Sequence, residues 1–265
     1  MASPSRCSAG ATSSRACTTE GASLRAIHRY GGGRSRLGEL FLPDRDDPSP
    51  VAVVIHGGFW RRRYGRTLMD ALCRDLVAAG WAAWNLEYRR LGFLSGGGWP
   101  ETFDDVSAGI DRLAELPGVD LRTVAAIGHS AGGHLALWAA SREQPRVRVT
   151  HAVAQAGVSD LRDAARLGLS RNAAEELLGG SPVQRPERYR RASPIERLPL
   201  GVPQLLVHGE EDAIVPVAMS LRYRDAELAA GDPVDLAVLP GTGHFEHLDP
   251  ASEAWKAVRS WLPTV

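Results

Sequence analysis

This sequence is poor in the features that would tie it to a charged partner, a bilayer or a disulfide framework. Its formal net charge is +0 at pH 7, from 31 basic and 31 acidic residues. That balance gives no electrostatic case for nucleic acid or an anionic membrane as the main partner. No apolar run approaches the roughly 20 residues needed to span a bilayer. Three cysteines, Cys7, Cys17 and Cys73, are too few for a disulfide scaffold and lack metal-ligand spacing. They point to a reduced, cytoplasmic compartment, with no metal site expected. The first twenty residues have no acidic residue before Glu20 and no apolar core, which excludes a secretory signal peptide. Their Ser, Thr, Ala and Arg suit a transit peptide, a disordered tail or a start codon placed too early. We set residues 1–22 aside as a tail and expect residues 23–265 to form one domain, a length sufficient for a sizeable core.

Within that domain short apolar runs alternate with helical periodicity. Leu24–Tyr30 and Arg36–Pro43 read as an antiparallel edge hairpin around Gly31-Gly32-Gly33. Val51–Ile55, Trp81–Leu86, Val124–Ile127, His151–Gln155, Gln204–His208 and Val234–Leu239 read as further strands, Val51–Ile55 being apolar and β-branched enough to be buried on both faces. Helices are expected over Tyr64–Ala79, Phe103–Leu116, Gly133–Ala140, Val217–Ala230 and Ser252–Leu262. The fold class is therefore α/β, a mostly parallel sheet with helices on both faces. Residues 160–199 break the alternation; they are Arg-rich, Pro-punctuated and helical in patches, and are read as a small cap inserted over the site.

Ligands in such sheets bind beyond the carboxyl ends of the strands, so the polar residues there carry the argument. Val124–Ile127 runs into Gly128-His129-Ser130-Ala131-Gly132-Gly133 and then an Ala- and Leu-rich helix. A strand, a sharp turn with a serine at its tip and a helix are the context that gives G-x-S-x-G chemical meaning. An alcohol needs a base within reach to act as a nucleophile. His244, framed by Gly241-Thr242-Gly243 after the last strand, is the candidate, ahead of His247. Asp212, before the apolar Ile214-Val215-Pro216, is the candidate acid; Asp160 is the fallback, while Glu210 and Glu211 are expected to face solvent. The backbone N–H groups of Gly58, Phe59 and Ala131 are assigned to an oxyanion hole, because the glycines of His56-Gly57-Gly58-Phe59-Trp60 allow close approach of backbone to ligand. His56, His28, His134 and His151 are read as structural. Trp60 and Tyr88 are weaker candidates for substrate contact, with Phe93 and Trp99 as further aromatic wall or as core; for Tyr88 and Arg89 the favoured role is to anchor the loop Leu91–Pro100. Arg61-Arg62-Arg63 reads as a solvated run that could also attract a carboxylate.

Serine, acid and histidine in that chain order, together with the motifs above, resemble the α/β-hydrolase fold over roughly residues 24–263. His-Gly-Gly-x-Trp and Gly-His-Ser-Ala-Gly-Gly-His further resemble the kynurenine formamidase group and related small esterases, including acetyl xylan and feruloyl esterase-like proteins. The resemblance implies a serine hydrolase that cleaves a small-molecule ester or amide through an acyl-enzyme, without metal or organic cofactor. Ser130 would be nucleophile, His244 base and Asp212 its partner. The alternatives are a non-catalytic binding protein on the same fold and acyl transfer to an alcohol. Monomer and homodimer are both compatible with the sequence.

Overall fold

A computed structural model describes residues 24–265; the expected tail over residues 1–22 lies outside them. Eight strands form one sheet: β1 (Leu24–Arg29), β2 (Leu37–Leu42), β3 (Ser49–Ile55), β4 (Ala82–Leu86), β5 (Val119–His129), β6 (His151–Gln155), β7 (Gln204–Gly209) and β8 (Val234–Leu239), in the order β1-β2-β4-β3-β5-β6-β7-β8. The β1–β2 hairpin pairs antiparallel with itself and with β4, and every other neighbour is parallel. Val51, Val53, Val54 and Ile55 of β3 and all of β4 are buried, as strands covered on both faces must be.

Helices α1 (Asp70–Ala78) and α8 (Glu253–Trp261) cover one face, packing Leu72, Leu76, Trp255 and Val258 on Ala52, Val54, Ala125 and Val207. On the other face, α2 (Glu101–Asp111) and α3 (Ala131–Ala140) pack Phe103, Val106, Leu135 and Ala136 against Val53, Trp84 and Ala126. Helix α7 (Ala218–Ala230) follows β7. No helix among the described residues is long and apolar enough to cross a membrane.

Two boundaries differ from expectation for physical reasons. Strand β5 starts at Val119, five residues before Val124, because its first half carries Asp120, Arg122 and Thr123 where the strand runs out of the covered centre. Those polar residues hide its strand character, and its pairing with β3 shifts register between Pro50 and Val51. Helix α1 starts at Asp70, after a short 3₁₀ turn over Arg66–Met69. Tyr64 and Leu68, expected inside the helix, instead wall a pocket.

Residues 160–199 hold three short helices, α4 (Leu161–Arg166), α5 (Leu169–Leu178) and α6 (Pro186–Ala192). They place Ala173, Leu177 and Tyr189 in the core with Trp60 and Phe103, and Arg61 pairs with Glu176. None of their residues lines the pocket beside Ser130. The expected cap thus contributes no side chain to that pocket wall; its apolar side chains pack into the core beside Trp60 and Phe103.

Candidate active site

The turn after β5 is dictated by close packing. A Cβ on Gly128 would lie 2.0 Å from the Gly132 carbonyl oxygen, and one on Gly132 would lie 2.0 Å from that of Ile55. Only glycine permits β5, the turn and α3 to approach β3 so closely. Between them Ser130 takes φ 56° and ψ −119°, a sparsely populated conformation that must be held from outside. Its N–H donates to Gln155 O at 2.8 Å, and its carbonyl accepts from His134 at 3.1 Å. The Ser130 hydroxyl is buried and has no hydrogen-bond partner. The N–H groups of Gly58, Phe59 and Ala131 also find no acceptor among the described residues. Gly58 and Phe59 sit at φ 104° and 50°, in a turn closed by Arg61 N–H donating to Gly58 O at 3.0 Å.

Asp212 and His244 meet across the loops after β7 and β8. His244 donates Nδ1–H to Asp212 Oδ2 at 2.7 Å, while Asp212 Oδ1 accepts from the N–H groups of Ile214 (2.8 Å) and Val215 (2.9 Å). Burial alone would raise the Asp212 carboxyl. Hydrogen bonds from His208 and His244 and from the Val215 N–H outweigh it and hold the group well below the usual carboxylate range. With Nδ1 committed to Asp212, His244 Nε2 is the unprotonated ring nitrogen of the neutral imidazole.

Ser130 and His244 line one pocket of about 130 Å³, walled by Phe59, Tyr64, Leu68, Ile214 and Phe245. They share that pocket without a hydrogen bond to each other; such bonds are often long before substrate binds. Larger hollows elsewhere, of about 390 and 670 Å³, contain neither residue.

Several expected residues lie apart from this pocket. Trp60 is buried and donates Nε1–H to His134 Nδ1 at 3.2 Å. Tyr88 is buried too; its hydroxyl donates to His56 O at 2.9 Å, and its ring stacks on His56 at 4.4 Å. Substrate contact is corrected for both: their polar atoms are used inside the core. His56 faces Gly57 O at 2.8 Å and Glu87 at 3.0 Å, and so fastens the loop after β3. Phe93 is 81% exposed, and Trp99 lines the 390 Å³ hollow. Arg89 forks onto Asp105 with both contacts at 2.8 Å. Asp160 caps α4, accepting from Arg162 N–H at 2.9 Å and Asp163 N–H at 3.0 Å.

Two histidines escaped the sequence reading. His208, wholly buried at the end of β7, donates Nε2–H to Val215 O at 2.8 Å and lies 3.3 Å from Asp212 Oδ2. His129 donates Nε2–H to the His244 carbonyl at 2.8 Å, and burial beside His244 pushes it down to about 3. His129 is the sequence neighbour of Ser130, and His208 stands four residues before Asp212. Sequence neighbours of Ser130 and of the acid-bearing loop were the available pointer.

The comparisons with known proteins agree with this architecture. Esterase LipC of Mycobacterium tuberculosis is 29% identical over 259 residues, covering 86% of this chain and 62% of that protein. Esterase LipQ of the same organism is 29% identical over 237 residues, covering 81% and 55%. The chain thus spans less than two thirds of the length of these relatives. Among solved structures, a truncated carbohydrate esterase from gut microbiota superposes with a TM-score of 0.76 at 20% identity, covering 93% of this chain and 96% of that one. Esterase B from Lactobacillus rhamnosis gives 0.70 at 21%, covering 88% and 84%. The fold is the α/β-hydrolase fold. The family described as BD-FAE matches residues 39–226, well over half of the sequence, and the chain belongs to that family.

Proposed function

We propose that this chain is a serine esterase for short acyl esters. The observation that carries the reading is the convergence, on one small apolar pocket, of Ser130 with the Asp212-bound His244. Ser130 attacks the ester carbonyl as His244 Nε2 takes its proton. The unpartnered N–H groups of Ala131, Gly58 and Phe59 receive the developing oxyanion. His244 then protonates the departing alcohol, and the same nitrogen activates the water that cleaves the acyl-enzyme. Asp212 holds the ring in the required tautomer and stabilises the imidazolium. The names of the curated relatives, both esterases, support the reaction class.

The pocket suggests the acyl group. The pocket, about 130 Å³, is the smallest of the hollows described above, and its wall is nearly all hydrocarbon, so a short, unbranched acyl chain suits it. The formamide reading rested partly on Trp60, which is buried away from the pocket.

The test is hydrolysis of p-nitrophenyl acetate, p-nitrophenyl decanoate and N-formylkynurenine by wild type and Ser130→Ala. We expect the acetate to be preferred and its turnover to fall by more than about 10⁴-fold in the variant. Equal turnover by Ser130→Ala would overturn the mechanism. Preference for the formamide would replace the esterase reading with a formamidase one.

A further inference from the structure

A hollow of about 670 Å³, separate from the Ser130 pocket, is lined by five arginines and no acidic residue. Arg89 and Arg90 are answered by Asp105 and Glu87. Arg34, Arg36 and Arg62 face no carboxylate among the described residues; Arg36 donates to Gly32 O at 2.6 Å. The same hollow includes Phe93 and Leu94, at the tip of the loop after β4, with 81% and 89% of their surface exposed. Two adjacent large apolar side chains so exposed, beside three arginines without a carboxylate partner, suit a partner that is both anionic and apolar.

We propose that this face docks the molecule on an anionic lipid bilayer, with Phe93 and Leu94 inserted at the headgroup level and the arginines on the lipid phosphates. Exposure and charge favour a bilayer over an acidic protein. Phe93 and Leu94 keep most of their surface free for insertion into an apolar phase, and the three arginines without a carboxylate partner complement phosphate headgroups. The overall charge balance conceals the patch, because the acids that cancel it lie elsewhere on the molecule. The loop is also fastened to the pocket. Leu91 N–H donates to Trp60 O at 2.7 Å and Arg62 N–H to Leu91 O at 3.0 Å, and Tyr64, two residues on from Arg62, walls the pocket beside Ser130. Docking would therefore hold the pocket close to the lipid surface. The inference does not depend on the esterase reading, since its test is binding.

The experiment is co-sedimentation with vesicles of phosphatidylcholine alone and of phosphatidylcholine mixed with phosphatidylglycerol in equal parts, at low and high salt. The proteins are wild type, Phe93→Ser/Leu94→Ser and Arg34→Glu/Arg62→Glu, each checked by thermal unfolding. We expect wild type to prefer the anionic vesicles by more than about tenfold, as one arginine near such a surface contributes about fivefold, and salt to weaken the binding. Each double variant should lose at least about tenfold with unfolding unchanged. Failure of wild type to bind anionic vesicles overturns the proposal, as does binding that neither double variant alters. Capture of inorganic phosphate lost in Arg34→Glu/Arg62→Glu, without vesicle binding, would make the patch a soluble-anion site and equally overturn it.

Discussion

Asp212 is a buried carboxylate surrounded by donors from two backbone N–H groups, His244 and His208. An amide in its place keeps the size but presents an N–H₂ to one of those donors, turning the His244 ring toward the wrong tautomer. We expect Asp212→Asn to lower kcat by about 10⁴-fold, with KM little changed, measured on the p-nitrophenyl acetate reaction. A loss of less than tenfold would mean that His208 or another group orients His244. The three residues proposed for the chemistry were legible in the sequence, because each stands at a strand end in a glycine or turn context that leaves few structural roles. The pocket wall was not. Tyr64, Leu68, Ile214 and Phe245 come from segments far apart in the chain, and no local pattern marks such a convergence. Trp60 and Tyr88 misled because a large aromatic beside a catalytic motif reads the same whether it faces ligand or core.

At the scale of elements, the turn between β5 and α3 is where packing is tightest. A methyl group at Gly132 meets Ile55 O at 2.0 Å and His56 O at 2.8 Å, both backbone atoms of β3 and its loop that cannot rotate away. Gly132→Ala should destabilise the protein by about 3 kcal/mol or more, read as a shifted urea midpoint with soluble yield reduced; a midpoint unchanged from wild type would show that β3 can retreat. The strands around this turn were legible as short apolar runs, but their order in the sheet was not. Nor was the first half of β5, because Asp120 and Arg122 lie beyond the covered part of the sheet. The packing of α4–α6 beside Trp60 and Phe103 was invisible as well. A helix with an apolar stripe records that it packs, not on which neighbour.

For the whole molecule, the acid limit of stability is set by histidines held neutral. Burial pushes His129 down to about 3, and His134 and His247 to about 4; both His247 ring nitrogens lack a partner. An unfolded histidine binds its proton near pH 6.5, so below that value the unfolded chain holds protons the native state refuses. Stability is complete above about pH 6.5 and falls as pH drops toward 4, by at most about 4 kcal/mol per pH unit if all three take part. Asp212, with its depressed carboxyl, extends the loss further into acid. Urea unfolding at successive pH values checks this, and a flat profile between pH 6.5 and 4.5 would refute it. The backbone at Ser130 bears on the same margin. Its φ of 56° costs on the order of 1–3 kcal/mol, in a molecule whose kind has about 5–15 kcal/mol in all. A typical substitution removes about 1 kcal/mol. The strained turn therefore lowers the number of random changes the chain can absorb by one to three, so a descendant that no longer needed a reactive alcohol could relax this turn and become more tolerant of mutation.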